Sequence, residues 1–518
     1  CGQKFAGNVN LTIRKNGLVR ISGYGNCTNK NRPTIDGRFK LAPIVQNPEK
    51  HSVWSSAKDV TQVFLRDQPL PRARYPIDRY LILSAGTVAS DLRLPPDLRW
   101  NTLDLLGATV HARTHEWWVE HREIIDKDGT FATRLRYSLR PKAGVYFTGK
   151  SWMLDGNPAW AYDAHYRLLT VAGTLNEQLS YTTSLPLLRV VGRGSLEVDG
   201  INFFAAGEDA IRVAVDGAVR IENIGIQWAV GNGISIQGAS SVVVMNSQIS
   251  DVGRDGIFFA EVPLVEVRRN RIRNAGLYLG PGTSLAAINA HRTGASVIES
   301  NEVTRSAYIG IRFAGNALIQ GNIIEDSCLL LSDCAAIYTW RRNRDDRRGR
   351  SQVTGNAIIN VTGDASVKFG INDWFAGIYL DEWTRSVLVA HNLVINANQG
   401  LYIHNSFENE LTENIVVASR TKPIVDLVDT SVISSFSPQL TELPNRISAQ
   451  TILAPGIGYA IQRSHVPVFT SERWVASVGI DFLGSPADAN GIRDSCRHVA
   501  PPEAVQRPTA FRWFDCLH

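Results

Sequence analysis

The sequence predicts an all-β protein: a right-handed parallel β-helix, or solenoid, with an inserted N-terminal domain resembling a β-sandwich or barrel. Three observations lead there. An Asn recurs between short β-rich runs, at Asn223, Asn246, Asn270, Asn301, Asn322, Asn356, Asn392 and Asn414. The spacings are 23, 24, 31, 21, 34, 36 and 22 residues, as for solenoid coils with loops added at particular turns. Three segments also look like stacked copies: Ala336-Ile337-Tyr338-Thr339-Trp340, Gly377-Ile378-Tyr379-Leu380-Asp381-Glu382 and Gly400-Leu401-Tyr402-Ile403-His404-Asn405. Each alternates with a period of two, the mark of a strand. Finally, the helix-forming stretches that a leucine-rich horseshoe needs between its strands are missing. At 518 residues the chain exceeds an ordinary single domain, a size that a repeat array accommodates.

Residues 1–52 read as opening coils, with Leu11-Thr12-Ile13, Val19 to Gly25 and Arg32 to Gly37 as their short strands. From 53 to 170 the repeat lapses into longer strands, such as Val60 to Leu65 and Gly107 to Arg113. Turn signals such as Lys127-Asp128-Gly129 accompany them, and this is the expected insert. The main β-helix, 171–430, resumes at Leu188-Arg189-Val190-Val191 and should carry the active groove. Within it, coils stacked about 4.8 Å apart close each other's hydrogen bonds and bury apolar faces that no coil can bury alone. The recurrent Asn is expected to take the left-handed bend and bond along the stack. Residues 431–518 read as final coils and a cap over the open sheet edge.

Composition sets outer limits. Hydrophobic residues make up 44% and charged residues 20% of the chain, as in a well-packed soluble protein. No apolar run reaches the roughly 18 residues of a membrane span. The net charge of +5 is mild, and no nucleic-acid-binding motif accompanies the one local cluster of arginines, Arg341 to Arg350, which reads as a solvated loop or an anion clamp. Six cysteines sit as neighbours, Cys1 with Cys27, Cys328 with Cys334, and Cys496 with Cys516. Their even count without C-x-x-C spacing points to disulfides and a secreted or periplasmic location. The chain opens without a signal peptide and inside what reads as a structural unit, so a removed leader is expected; Cys1 is also a candidate lipid-anchor site.

Aligning the three copies by their Ile/Leu-Tyr pairs yields two outward ladders. One is Tyr338, Tyr379 and Tyr402; the other is Trp340, Asp381 and His404. Earlier coils add Asn289 and Arg312 to the first column and His291 to the second. Aromatic, acid and imidazole groups on one face suit a sugar-binding groove better than a core. Glycosidic hydrolysis needs two carboxyl groups flanking the scissile bond, and acids on adjacent coils can supply them. Asp381 points outward by alternation. Asp333 precedes the strand at Ala335 and is stiffened by a Cys328–Cys334 bridge, while Glu382 reaches the groove only if the strand ends before it. The catalytic candidates are therefore Asp381, Asp333 and Glu382. His291, Arg312, Tyr338, Trp340, Tyr379, Tyr402 and His404 are expected to bind substrate. Lys368, Asp373 and Trp374 form a candidate lid. No cluster has metal-ligand spacing and no phosphate-binding or nucleophile-elbow motif is present, so neither metal nor cofactor is expected.

These stretches resemble right-handed β-helix glycoside hydrolases of families 120 and 141, which act on plant or microbial glycans as xylosidases, fucosidases or xylanases. Those proteins tend to carry an acid before a Gly-Ala-Ile-Tyr-like strand and a later Gly-Ile-Tyr-Leu-Asp-Asp/Glu strand. Here the counterparts are Asp333-Cys334-Ala335-Ala336-Ile337-Tyr338 and Gly377-Ile378-Tyr379-Leu380-Asp381-Glu382. Gln62 to Leu65, Ala73 to Pro76, Gly107 to His111 and Trp160 to Asp163 resemble the β-domain such enzymes insert after their first coils. Cys334 departs from the family's glycine. The resemblance implies a hydrolase acting on a neutral or anionic polysaccharide or oligosaccharide. The same scaffold also serves polysaccharide lyases that cleave uronate polymers by β-elimination, and non-catalytic glycan-binding solenoids.

Overall fold

In a computed structural model of the chain, inward Ile, Val and Leu alternate with outward polar residues along strands that stack in parallel. Residues 1–24, 27, 31–41, 59–96, 103–155, 158–164, 166–173, 178–277, 285–342, 349–363, 374–417, 419–427 and 444–452 are described in full. The backbone alone is described at 45–46, 51–55, 453, 468–469 and 472–474. The described strands of the solenoid form two long parallel sheets. The back sheet has 13 strands, from Lys4–Ala6 to Glu472–Trp474, and the front sheet has 19, from Val9–Ser22 to Val468–Phe469. Between them lies one continuous core. Its logic is plain in the column Ile257, Ile288, Ile311, Ile337, Ile378, Leu401 and Ile424, which pairs coil to coil and is buried throughout. Each such side chain contributes roughly 1.5–3 kcal/mol by leaving water.

A ladder of asparagine amides runs inside one bend. The backbone N–H and side-chain Nδ2 of Asn270 donate to Asn301 Oδ1, and the pattern repeats through Asn322, Asn356, Asn392 and Asn414 at 2.9–3.0 Å. The sequence-based account of the bend needs one correction. The left-handed residue is the one before each ladder amide: Arg269, Ser300, Gly321, Gly355, His391 and Glu413 all have positive φ. That turn directs the next side chain inward, where its amide replaces the hydrogen bonds lost to burial. Asn223 and Asn246 are themselves left-handed and sit one position earlier, outside the ladder; Ser247 takes the ladder place and accepts from the Ile224 N–H.

The insert leaves the solenoid after Thr34–Asp36 and returns before Leu188–Asp199. Leu188 pairs in parallel with Val9, so the excursion separates two neighbouring coils. Among its described residues the insert holds three antiparallel sheets. One joins Phe39–Lys40, Leu179–Thr183, Val60–Leu65 and Gln68–Pro69; a second joins Val45–Gln46, His51–Ser55, Leu168–Ala172 and Ala159–Asp163. The third contains the hairpin Thr109–His115 and Trp118–Glu123, with Gly144–Thr148 alongside. Separate apolar clusters support it, around Trp160, Leu169 and Val171, and around Val110, Val145 and Phe147.

Disulfides join Cys1 to Cys27 and Cys328 to Cys334. Cys496 and Cys516, Lys368, Asp373 and most of the arginine-rich loop lie outside the described residues.

Candidate active site

The front sheet aligns the expected residues coil by coil. Asn289, Arg312, Tyr338, Tyr379 and Tyr402 pair in succession. Because Thr339, Leu380 and Ile403 occupy adjacent coils, the residues that follow them, Trp340, Asp381 and His404, do so too. Glycine permits this close stacking: a Cβ on Gly377 would fall 2.6 Å from the Gly400 carbonyl oxygen, and one on Gly400 2.4 Å from that of Pro423. The tyrosine column is not an open platform. Tyr338, Tyr379 and Tyr402 are 9%, 2% and 2% exposed, with ring centroids 5.2 and 4.6 Å apart. Trp374 stacks over the end of the column, 6.4 Å from Tyr402 and 6.3 Å from His404.

The buried tyrosines present hydroxyls to the acids. Tyr338 Oη donates to Asp381 Oδ2 at 2.7 Å, and His404 Nδ1 lies 2.9 Å from Asp381 Oδ1. Asn405 Nδ2 lies 3.2 Å from His404 Nε2. A donor on each oxygen orients the Asp381 carboxylate. Burial opposes a charge on His404, but the hydrogen bond and charge of Asp381, with Asp333 and Glu382 beyond, outweigh it and raise the imidazole pKa.

Asp333 has the opposite environment. It takes a left-handed backbone (φ 55°) at the start of the strand Cys334–Thr339, and its carbonyl accepts the Tyr308 hydroxyl at 2.7 Å. Cys334 is not left-handed, so the glycine of the resembling families is not demanded by the backbone here. The Asp333 Oδ1 atom is buried without a hydrogen-bond partner. Burial first, and then the charge of Asp381, push its carboxyl pKa up to about 8, against a hydrogen bond from Tyr379 and the nearby His404. Glu382 lies in the turn after the strand Phe375–Leu380. Its pKa also rises, through burial and the charge of Asp381.

Around this centre, His291 stacks on Trp340 at 5.3 Å, and the Arg312 guanidinium lies 5.9 Å from the centre of the Tyr338 ring. The hairpin of the insert supplies a wall that sequence reading missed. The Ser332 N–H donates to the Glu116 carbonyl at 3.1 Å, and Arg113 Nη2 donates to Ser332 Oγ at 3.0 Å. Glu116 pairs with Arg140 at 3.1 Å, and its charge reaches Asp333. Trp117 packs against the solenoid core. The signal was the run His115-Glu116-Trp117-Trp118, an unusual density of chemistry for a hairpin tip. Tyr308 carried no comparable mark.

A family model described as "Right handed beta helix region" matches residues 188–358. No curated protein matches. A solved structure described as "Glycoside hydrolase" superposes with a TM-score of 0.58 at 14% identity, covering 82% of this chain and 91% of the other. A complex of XylC with xylose scores 0.43 at 11% identity, covering 89% and 82% of the two chains. The catalytic unit of a GH87 alpha-1,3-glucanase from Streptomyces thermodiastaticus strain HF3-3 scores 0.39 at 10%, covering 82% and 89%. The chain is a right-handed parallel β-helix, and at these identities it is the fold that the likeness establishes.

Proposed function

We propose that this protein is an extracytoplasmic carbohydrate-active enzyme that hydrolyses glycosidic bonds of an oligosaccharide or polysaccharide, with Asp333 and Asp381 as its working pair. One observation carries the reading: two carboxyl groups on neighbouring coils feel each other's charge, yet lie in contrasting surroundings. Asp333, half-buried with Oδ1 unbonded and Tyr379 as its hydrogen-bond donor, is the member suited to hold a proton and deliver it to the leaving oxygen. Asp381, gripped by Tyr338 and His404, is the member suited to attack the anomeric carbon or to activate water. Glu382 is an alternate acid beside the same centre. Trp340, braced by His291, offers a ring face for stacking on sugar. The motif likeness to families 120 and 141 supports the assignment, as do the solved structure described as a glycoside hydrolase and the two disulfides, which persist in oxidising compartments.

The test is a panel of neutral and acidic polysaccharides, scored for new reducing ends and for the ultraviolet absorbance of unsaturated sugars. Reducing ends without unsaturation, lost in Asp381→Asn, are expected. Unsaturated products would replace hydrolysis by β-elimination, and turnover surviving in Asp381→Asn would remove the assignment.

A further inference from the structure

Several cations on the front face of the solenoid are neutralised. Arg212 pairs with Glu208 and Asp209, Arg268 with Glu266 and Glu299, and Arg292 with Glu261. Arg312, in the groove, is not. It is half-buried and has no ion pair or side-chain hydrogen bond among the described residues, and its Nε is sealed without an acceptor. Its partner across the next coil is Tyr338, over whose ring the guanidinium lies, so no carboxylate of the protein closes the fork. Asn289, on the other side, spends its amide on Asp255 at 3.2 Å. The buried carboxyl of Asp255 feels the charge of both Arg312 and Arg254, but no carboxylate among the described residues touches the Arg312 guanidinium, and a half-buried cation left so is costly. The planar fork is also the group best matched to carboxylate or sulfate oxygens.

Arg254, exposed and without an ion pair among the described residues, stands two coil steps from Arg312 and hence about 10 Å along the axis. It borders a cleft of about 550 Å³ lined also by Asn232, Ser235 and Gln237 and by the acids Glu208 and Asp209, whose charges are taken up in part by Arg212. The half-buried Phe258 lies in the same register column as Ser235, Asn289 and Arg312, and so joins cleft to groove.

We propose that the groove continues from the carboxyl pair along this column to the Arg254 cleft and takes an acidic glycan. Arg312 meets the anionic group of the sugar next to the reacting one, and Arg254 meets an anionic group further along the same chain. The inference rests on the groove assigned above, but it concerns binding and holds whether or not the bond is hydrolysed.

It is therefore tested on the full-length chain carrying Asp381→Asn, by retardation in gels containing polygalacturonate, its fully methyl-esterified form, chondroitin sulfate or neutral xylan. Retention by an acidic polymer at least 10-fold stronger than by the neutral ones is expected, and it should collapse as salt is raised. Preference for polygalacturonate would identify carboxylate, and preference for chondroitin sulfate that is lost on its chemical desulfation would identify sulfate. Adding Arg312→Gln should abolish the acidic preference and leave neutral retention unchanged, while Arg254→Gln should weaken it several-fold. Equal retention of acidic and neutral gels, or an Arg312→Gln loss shared by both, overturns the proposal. In the otherwise wild-type enzyme, loss of hydrolysis with acidic retention intact would count against the catalytic reading alone.

Discussion

The two faces of the solenoid are made from the same coils but treat buried polar groups in opposite ways. In the inner bend, each of Asn270, Asn301, Asn322, Asn356 and Asn392 gives its amide to the next coil and receives from the previous one. On the front face, Asp333 Oδ1 and Arg312 Nε are sealed with nothing to bond, and two acids share one neighbourhood. A fully satisfied ladder stabilises; an unsatisfied cluster costs stability and persists where function needs it. The contrast sets the scaffold apart from the candidate site without reference to any other protein.

The sharpest way to break the comparison is Asp381→Asn, expected to lower turnover about 10³-fold or more with the melting temperature little changed. Activity assays beside thermal melts check both halves. Asp333→Asn should cost about 10²–10⁴-fold and, unlike a scaffold lesion, should stabilise. The native carboxyl holds its proton to about pH 8, whereas the unfolded chain releases it near pH 4. Native protein therefore binds more protons across that window, and stability falls as pH rises through it. Melts from pH 4 to 9 should show a shallower decline for the variant and a higher melting temperature at pH 8. The wild-type rate should likewise fall as pH passes about 8, when the acid is lost.

Asn322→Ala should do the reverse. It removes the side-chain bonds to Ile298, Gln320 and Asn356, and strips the acceptor from Asn301. A loss of about 2–4 kcal/mol by denaturant titration is expected, with the rate per folded molecule unchanged. Tyr338→Phe should have the smallest effect of the four on the combined scale. It deletes one hydrogen bond to a carboxylate, worth about 1.5–3 kcal/mol if realised in the transition state, and should lower kcat about 10- to 100-fold with KM largely kept.

Much of this was readable because a period of two and a recurring Ile/Leu-Tyr pair determine register. Aligning Tyr338, Tyr379 and Tyr402 necessarily aligned Trp340, Asp381 and His404. Three things were not legible. Alternation places a tyrosine on the outer face but is silent about what covers it, so the burial of Tyr379 under its neighbours could not be foreseen. The phase of the asparagine ladder depends on which residue takes the positive φ, and Asn suits both places. The contact of Glu116 with Ser332 joins positions separated by more than two hundred residues, through a domain that obeys no repeat.

That contact turns the insert into a gauge. The chain returns to the solenoid at Leu188, six coil steps, about 29 Å, before the strand at Cys334. The hairpin nevertheless spans the interval and touches down beside Asp333. Coils can ordinarily be added to or removed from a solenoid at little cost, since each meets only its neighbours. Here the reach of the hairpin fixes how many fit, so excising a single coil, such as the 23 residues from Asn223 to Met245, would leave the tip facing the wrong rung. The freedom to lengthen this solenoid is therefore lost between Leu188 and Cys334 and kept beyond the Asp333–Asp381 cluster.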